Sequence, residues 1–167
     1  MKLLRTSLTT VTKMAATACA AAMLMVAATP ALAQEATRIS GVGYFADAED
    51  CDWESVGADF ALHLTGDLEG CLFVFVETAT YTPSGTYVET GTELFVGLGG
   101  SFVTAYRFEA KYEDPVNLLG EIFGRCQHVI VEDSGTGEFA GVTGRIDFRD
   151  DIEAGDFPYR GSLQYAD

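Results

Sequence analysis

The run SFVTAYRFEAKY at residues 101–112 alternates with a period of two. Phe102, Tyr106, Phe108 and Tyr112 fall on one side, and Arg107, Glu109 and Lys111 on the other. Successive side chains of a strand point to opposite faces, so this is a strand with one aromatic and one charged face. Glu113-Asp114-Pro115 ends it, because proline cannot donate to a sheet ladder.

The same period extends in both directions. Strands are expected at 38–46, 58–65, 71–81 and 86–96 before this run, and at 120–132, 142–149 and 157–165 after it. Phe60, Leu62 and Leu64 share one face of the second, while 72–76 (LFVFV) is apolar on both faces of the third. Phe157, Tyr159 and Tyr165 alternate in the last. Glycine-rich turns at 66–70, 82–85 and 97–100 separate the strands, and no helix-period stretch of useful length occurs. Eight strands with tight turns predict an all-β, up-and-down antiparallel barrel in a single domain, residues 34–167. Closure removes exposed edges, and at eight strands the interior holds side chains or one small ligand. An open sandwich is the alternative.

The chain has 167 residues and a net charge of −15. Lys2, Arg5 and Lys13, an apolar run at 14–29, Pro30 and Ala31-Leu32-Ala33 have the order of a secretory signal, with cleavage expected after Ala33. Removing residues 1–33 leaves 7 basic against 25 acidic residues, a net charge of −18. That balance excludes a phosphate-backbone binder and adhesion to anionic lipid. The 48% hydrophobic content excludes disorder. No later apolar stretch reaches spanning length, so a secreted or periplasmic protein with no membrane span in the mature chain is expected.

Such a protein meets oxidising conditions, and Cys51, Cys71 and Cys126 remain after the leader. One disulfide and one free thiol follow. Three pairings are open; Cys51–Cys71 is favoured, because both flank one predicted strand and close a short loop. Cys126 is then a small apolar residue rather than a nucleophile.

The most distinctive motif is Gly135-Thr136-Gly137-Glu138-Phe139-Ala140-Gly141-Val142-Thr143-Gly144. Its G-x-G-x-x-A string is not a dinucleotide fingerprint, because a strand follows it where the fingerprint requires a helix. The glycines suit tight bends, and Phe139 is placed to anchor the loop against the barrel end. Gly135, Gly137, Phe139, Gly141 and Gly144, followed by Ile146 and Phe148, resemble the loop of the allene oxide cyclase-like barrel family, which is related to the dirigent proteins. The closing strand at 157–161 is similar too. This resemblance implies an eight-stranded, calycin-like barrel with a largely apolar cavity. Members include cyclases that act on apolar substrates without a cofactor and proteins that steer radical coupling. Relatives often assemble, so the resemblance allows a homo-oligomer. The shared motif is a folding signature and carries no catalytic residue.

The candidate acid–base groups are Glu77, Tyr106 and His128. Glu77 shares a face with Phe73, Phe75 and Tyr81, and His128 with Ile122, Cys126 and Ile130. A carboxylate among aromatics acquires a raised pKa and can serve as a general acid. The plainer reading places Glu77, Glu89 and Glu93 on an outer face, opposite Arg107, Lys111 and Arg125. His63 is expected to face solvent. Phe75, Tyr87 and Phe108 are the candidate ligand wall. Asp147, Asp150, Asp151, Glu153 and Asp156 offer oxygen ligands, but their spacing matches no calcium loop, so they read as a solvated loop. No metal and no cofactor is expected.

Three functions remain in competition: a barrel that binds an apolar small molecule, a cofactor-free cyclase or isomerase on an apolar substrate, and a packed structural protein of the cell envelope. Whether the protein is an enzyme is left open by the sequence. Cavity size separates the third function from the others. A buried carboxylate beside Tyr or His favours chemistry, and an all-apolar wall favours carriage.

Overall fold

A computed structural model describes residues 35–165. The expected signal segment, residues 1–33, lies outside the described residues. Eight strands follow in order: β1 (Thr37–Phe45), β2 (Phe60–Gly66), β3 (Gly70–Tyr81), β4 (Tyr87–Gly97), β5 (Gly100–Asp114), β6 (Leu119–Ile130), β7 (Val142–Arg149) and β8 (Phe157–Tyr165). Each pairs antiparallel with its sequence neighbour, and β1 pairs with β8 to close the barrel. The sandwich alternative is thereby excluded. Helix is confined, among the described residues, to α1 (Trp53–Val56) and a single 3₁₀ turn (Gly137–Phe139). No described helix is long and apolar enough to cross a membrane.

The barrel is plugged at one end. Phe95 and Phe102 stack with ring centroids 4.9 Å apart. Phe139 sits edge-on to both, at 5.6 and 5.2 Å. Leu64, Leu72, Ile130 and Leu163 complete this packed half. The 3₁₀ turn that delivers Phe139 depends on its glycines for two different reasons. Gly137 has φ 58°, a left-handed conformation that costs a side chain strain. Gly135 lacks positive φ but lies so near the Phe139 carbonyl that an added Cβ would sit 1.8 Å from its oxygen.

Two β-bulges change the strand phase. In β3, Val76 pairs with Gly91 and Thr78 with Thr90, so Glu77 is the inserted, unpaired residue. In β6, Phe123 pairs with Lys111 and Glu121 with Tyr112, so Ile122 is the insertion. Ile122 is accordingly exposed and leaves the face of Cys126, His128 and Ile130.

A second, smaller core lies outside the barrel. The segment between β1 and β2 folds over the outer faces of β2–β4, and Trp53 and Ala58 pack with Ala61, Phe73 and Phe75. Cys51 and Cys71 form a disulfide with Cα atoms 5.8 Å apart, tying this segment to β3. The bond fits an oxidising compartment. It closes a loop with a sequence separation of 20. Cys51→Ser, or reduction of the native protein, is expected to lower stability by about 3 kcal/mol. Denaturant titration with and without reductant measures this, and an unchanged midpoint would show that the packing of Trp53 alone holds the segment.

Candidate functional site

The barrel half opposite the plug holds a cavity of about 390 Å³. This is near the lower bound of the ordinary range for small-molecule sites, about 300–1,000 Å³. Phe45, Phe60, Tyr87, Phe108, Tyr112 and Phe157 supply its aromatic wall. Leu118 and residues 150–152 and 155–156 stand at its mouth, on the β5–β6 and β7–β8 connections.

The polar part of the wall is built by β4, β5 and β6. Residues directly opposite in an antiparallel pair share a face. Glu89 lies opposite Phe108 and Glu93 opposite Thr104, and Tyr106 lies opposite His128. All six therefore point inward. Glu93 is 3% exposed and His128 2%. The Thr104 hydroxyl donates to Glu93 Oε2 at 2.6 Å, and His128 Nδ1 bonds the same oxygen. His128 is held from its faces by Tyr106, with ring centroids 6.2 Å apart, and by Phe148 at 4.6 Å. Its Nε2 is buried and has no protein partner.

Two repeats of the pleat nearer the mouth, Glu89 accepts two phenolic hydrogen bonds. Tyr87 donates to Oε2 at 2.6 Å and Tyr106 to Oε1 at 2.9 Å. Gly91, between the two glutamates, gives the Tyr106 ring its place, since an added Cβ would lie 2.8 Å from that ring. Burial first, and then the bond to Glu89, pushes both phenols well above the ordinary tyrosine pKa. Both remain protonated donors.

A carboxyl pair stands at the mouth. An added Cβ at Gly124 would sit 2.0 Å from Asp150 Oδ2 and 2.4 Å from Glu121 Oε1, so the absent side chain makes room for both acids. Burial, followed by the hydrogen bond and charge of Glu121, raises Asp150 to about 8. Glu121 Oε1 is buried without an ordinary N–H or O–H donor. A proton on Asp150 would fill that role. Burial and then the Glu121 and Asp150 charges push Tyr112 up to about 12.

Among the predicted site residues, Tyr106 and His128 meet in the cavity wall, and Tyr87 and Phe108 line it. Glu77 does not join them. It is the exposed bulge residue of β3, outside the barrel. Phe75 also faces outward, into the small core under α1. Glu89 and Glu93, expected outside with Glu77, are inside because β4 pairs them with inward residues of β5. The outer arginines instead meet Glu109: Arg107 lies 2.9 Å away and Arg125 2.5 Å away. Arg125 first and Arg107 second hold the Glu109 carboxyl below its usual range. His63 is half-buried on the outer side, opposite Cys71 and Tyr44.

The acidic residues between 147 and 156 divide. Asp147 pairs with Arg145 at 2.6 Å on the outer surface, while Asp150, Asp151 and Asp156 border the cavity. Among the described residues, no group of three His, Cys, Asp or Glu side chains is arranged to hold a metal ion. Glu89 and Glu93 share strand parity with Tyr87 and Phe95, the signal that they belong to an aromatic face, and Asp150 belongs to the run expected as a solvated loop; Glu121 is the residue that sequence reading missed, because the bulge at Ile122 hides its parity.

Burial and then the Glu93 charge push the Cys126 thiol far above its ordinary pKa. The native protein should therefore react negligibly with a thiol reagent such as dithionitrobenzoate at pH 8, and release one equivalent once denatured. Fast native labelling would place Cys126 outside the wall. Asp150 binds its proton more tightly folded than unfolded. Its contribution to stability is complete below the unfolded carboxylate pKa of about 4 and is lost as pH rises through about 8. Asp150→Asn should flatten the decline of the urea midpoint between pH 5 and 9, and a parallel decline in the variant would refute the assignment.

No protein-family model matches this chain, and no curated protein matches it significantly.

Proposed function

We propose that this barrel is a secreted or periplasmic protein that binds one small molecule with an apolar body. The observation that carries this reading is the cavity of about 390 Å³, open at one end and walled by aromatic side chains, inside a closed barrel. A barrel serving only as structure would be packed along its length, as the half containing Phe95 and Phe102 is. Transfer of an apolar body into such a wall is favourable by about 25 cal/mol per Å² of surface removed from water. The polar groups on β4, β5 and β6 then orient the molecule.

One observation favours a second reading, cofactor-free cyclisation or isomerisation. Glu93 and His128 form a buried pair in the cavity wall with Nε2 unengaged. A histidine oriented by a carboxylate is suited to moving a proton on a bound substrate. The likeness of the 135–144 loop to the cyclase-like barrels supports the same reading.

The neutral probe N-phenyl-1-naphthylamine tests the binding function. Its fluorescence should rise on addition of the protein, and Phe108→Asn should weaken binding by about tenfold, the equivalent of part of one buried aromatic side chain. No enhancement with the wild-type protein would refute binding. For the second reading, any compound found bound to the native protein should be converted by the wild type and left unconverted by His128→Gln.

A further inference from the structure

The cavity is rich in acceptors and poor in donors. Glu93 Oε2 accepts from Thr104 and also meets His128 Nδ1, so Nδ1 carries the proton of that bond. In the neutral imidazole, Nε2 is then left as an acceptor. It is buried in the cavity wall, on a residue only 2% exposed, and nothing in the protein donates to it. The donors that might have served are engaged: the hydroxyls of Tyr87 and Tyr106 go to Glu89, and that of Thr104 to Glu93. At the mouth, Glu121 Oε1 is likewise buried with no protein donor.

The charge of the lining has one sign. Glu89, Glu93, Glu121, Asp150, Asp151 and Asp156 border the cavity, and no lysine or arginine does. Low-dielectric walls concentrate the resulting negative potential in the cleft. An anionic ligand, such as a fatty acid, would enter against that potential and leave Nε2 without a donor. A neutral hydrocarbon would also leave it without one.

We propose that the ligand is an organic amine, whose apolar body fills the aromatic wall and whose protonated nitrogen donates to the acceptors of the cavity. This rests on the small-molecule binding proposed above. An ammonium supplies N–H donors where the protein has none and positive charge where it has only acids. It also gains from an aromatic wall to which Tyr87, Phe108 and Tyr112 belong. At the mouth it can donate to Glu121 Oε1.

Three probes with one body and different heads test this: 4-phenylbutylamine, 4-phenylbutan-1-ol and 4-phenylbutyrate. Each is titrated against N-phenyl-1-naphthylamine bound to the mature protein, at pH 7 and low salt. The amine should displace the dye at a concentration about tenfold lower than the alcohol, and the carboxylate should be the weakest. Raising the salt should narrow the gap. The double variant Glu121→Gln with Asp150→Asn should narrow it too, the amine losing more than the alcohol. Those two acids are half-buried at the mouth, and a thermal midpoint confirms that the variant folds. If the dye binds but the alcohol or the carboxylate competes as well as the amine, the amine assignment is overturned and apolar binding stands. If neither the dye nor any probe binds, small-molecule binding fails and the amine assignment with it.

Discussion

The β4–β5 ladder determines what enters the barrel. It runs without a break from Tyr87 opposite Ala110 to Gly97 opposite Gly100. Directly opposed residues share a face, so one register sets Glu89 beside Phe108, Glu93 beside Thr104 and Phe95 beside Phe102. With β5 held in place, a slip of β4 by one residue would turn Glu89 and Glu93 to solvent. The aromatic plug opposes such a slip, because Phe139 packs on Phe95 and Phe102 together. The packed half of the barrel thus holds the register that the open half uses.

The wall built on that register is an arrangement of carboxylates in different states of satisfaction. Glu89 receives two phenolic donors. Glu93 receives a hydroxyl and an imidazole. Asp150 and Glu121 have each other and a proton. Burying an ionised group is unfavourable unless it is paired or hydrogen-bonded, so each arrangement answers the same physical demand by different means. His128 is the point where the answer is incomplete within the protein, since one of its nitrogens is bonded and the other is not. Buried polar groups of that kind are where a ligand or a transferred proton has most to offer.

Outside the barrel the same rules produce ordinary surface chemistry. Glu109 between Arg107 and Arg125, and Asp147 beside Arg145, are exposed ion pairs of modest value. The disulfide and the small core around Phe73 hold the segment between β1 and β2 against the wall. They do so on the side away from the cavity, so the site owes them rigidity and no chemistry.

The sequence by itself determined the number of strands, their limits to within about two residues, the turns and the face pattern of β5, because period-two alternation and glycine-rich turns are local. It also singled out Phe139, and among three open pairings it favoured Cys51–Cys71, which the structure forms. Tertiary structure alone decided which face of β3 and β4 turns inward, because parity is defined only relative to a partner strand. The apolar run 72–76 presents hydrophobic residues on both faces: Leu72 and Val74 fill the barrel, while Phe73 packs beneath the β1–β2 segment. The two bulges were equally out of reach of local pattern. An inserted residue shifts the phase without a marked change in composition, so Glu77 and Ile122 seemed to belong to faces that they leave. The approach of Glu93 to His128 joins residues 35 apart in the chain, and only closure of the β4–β5–β6 ladders brings them together.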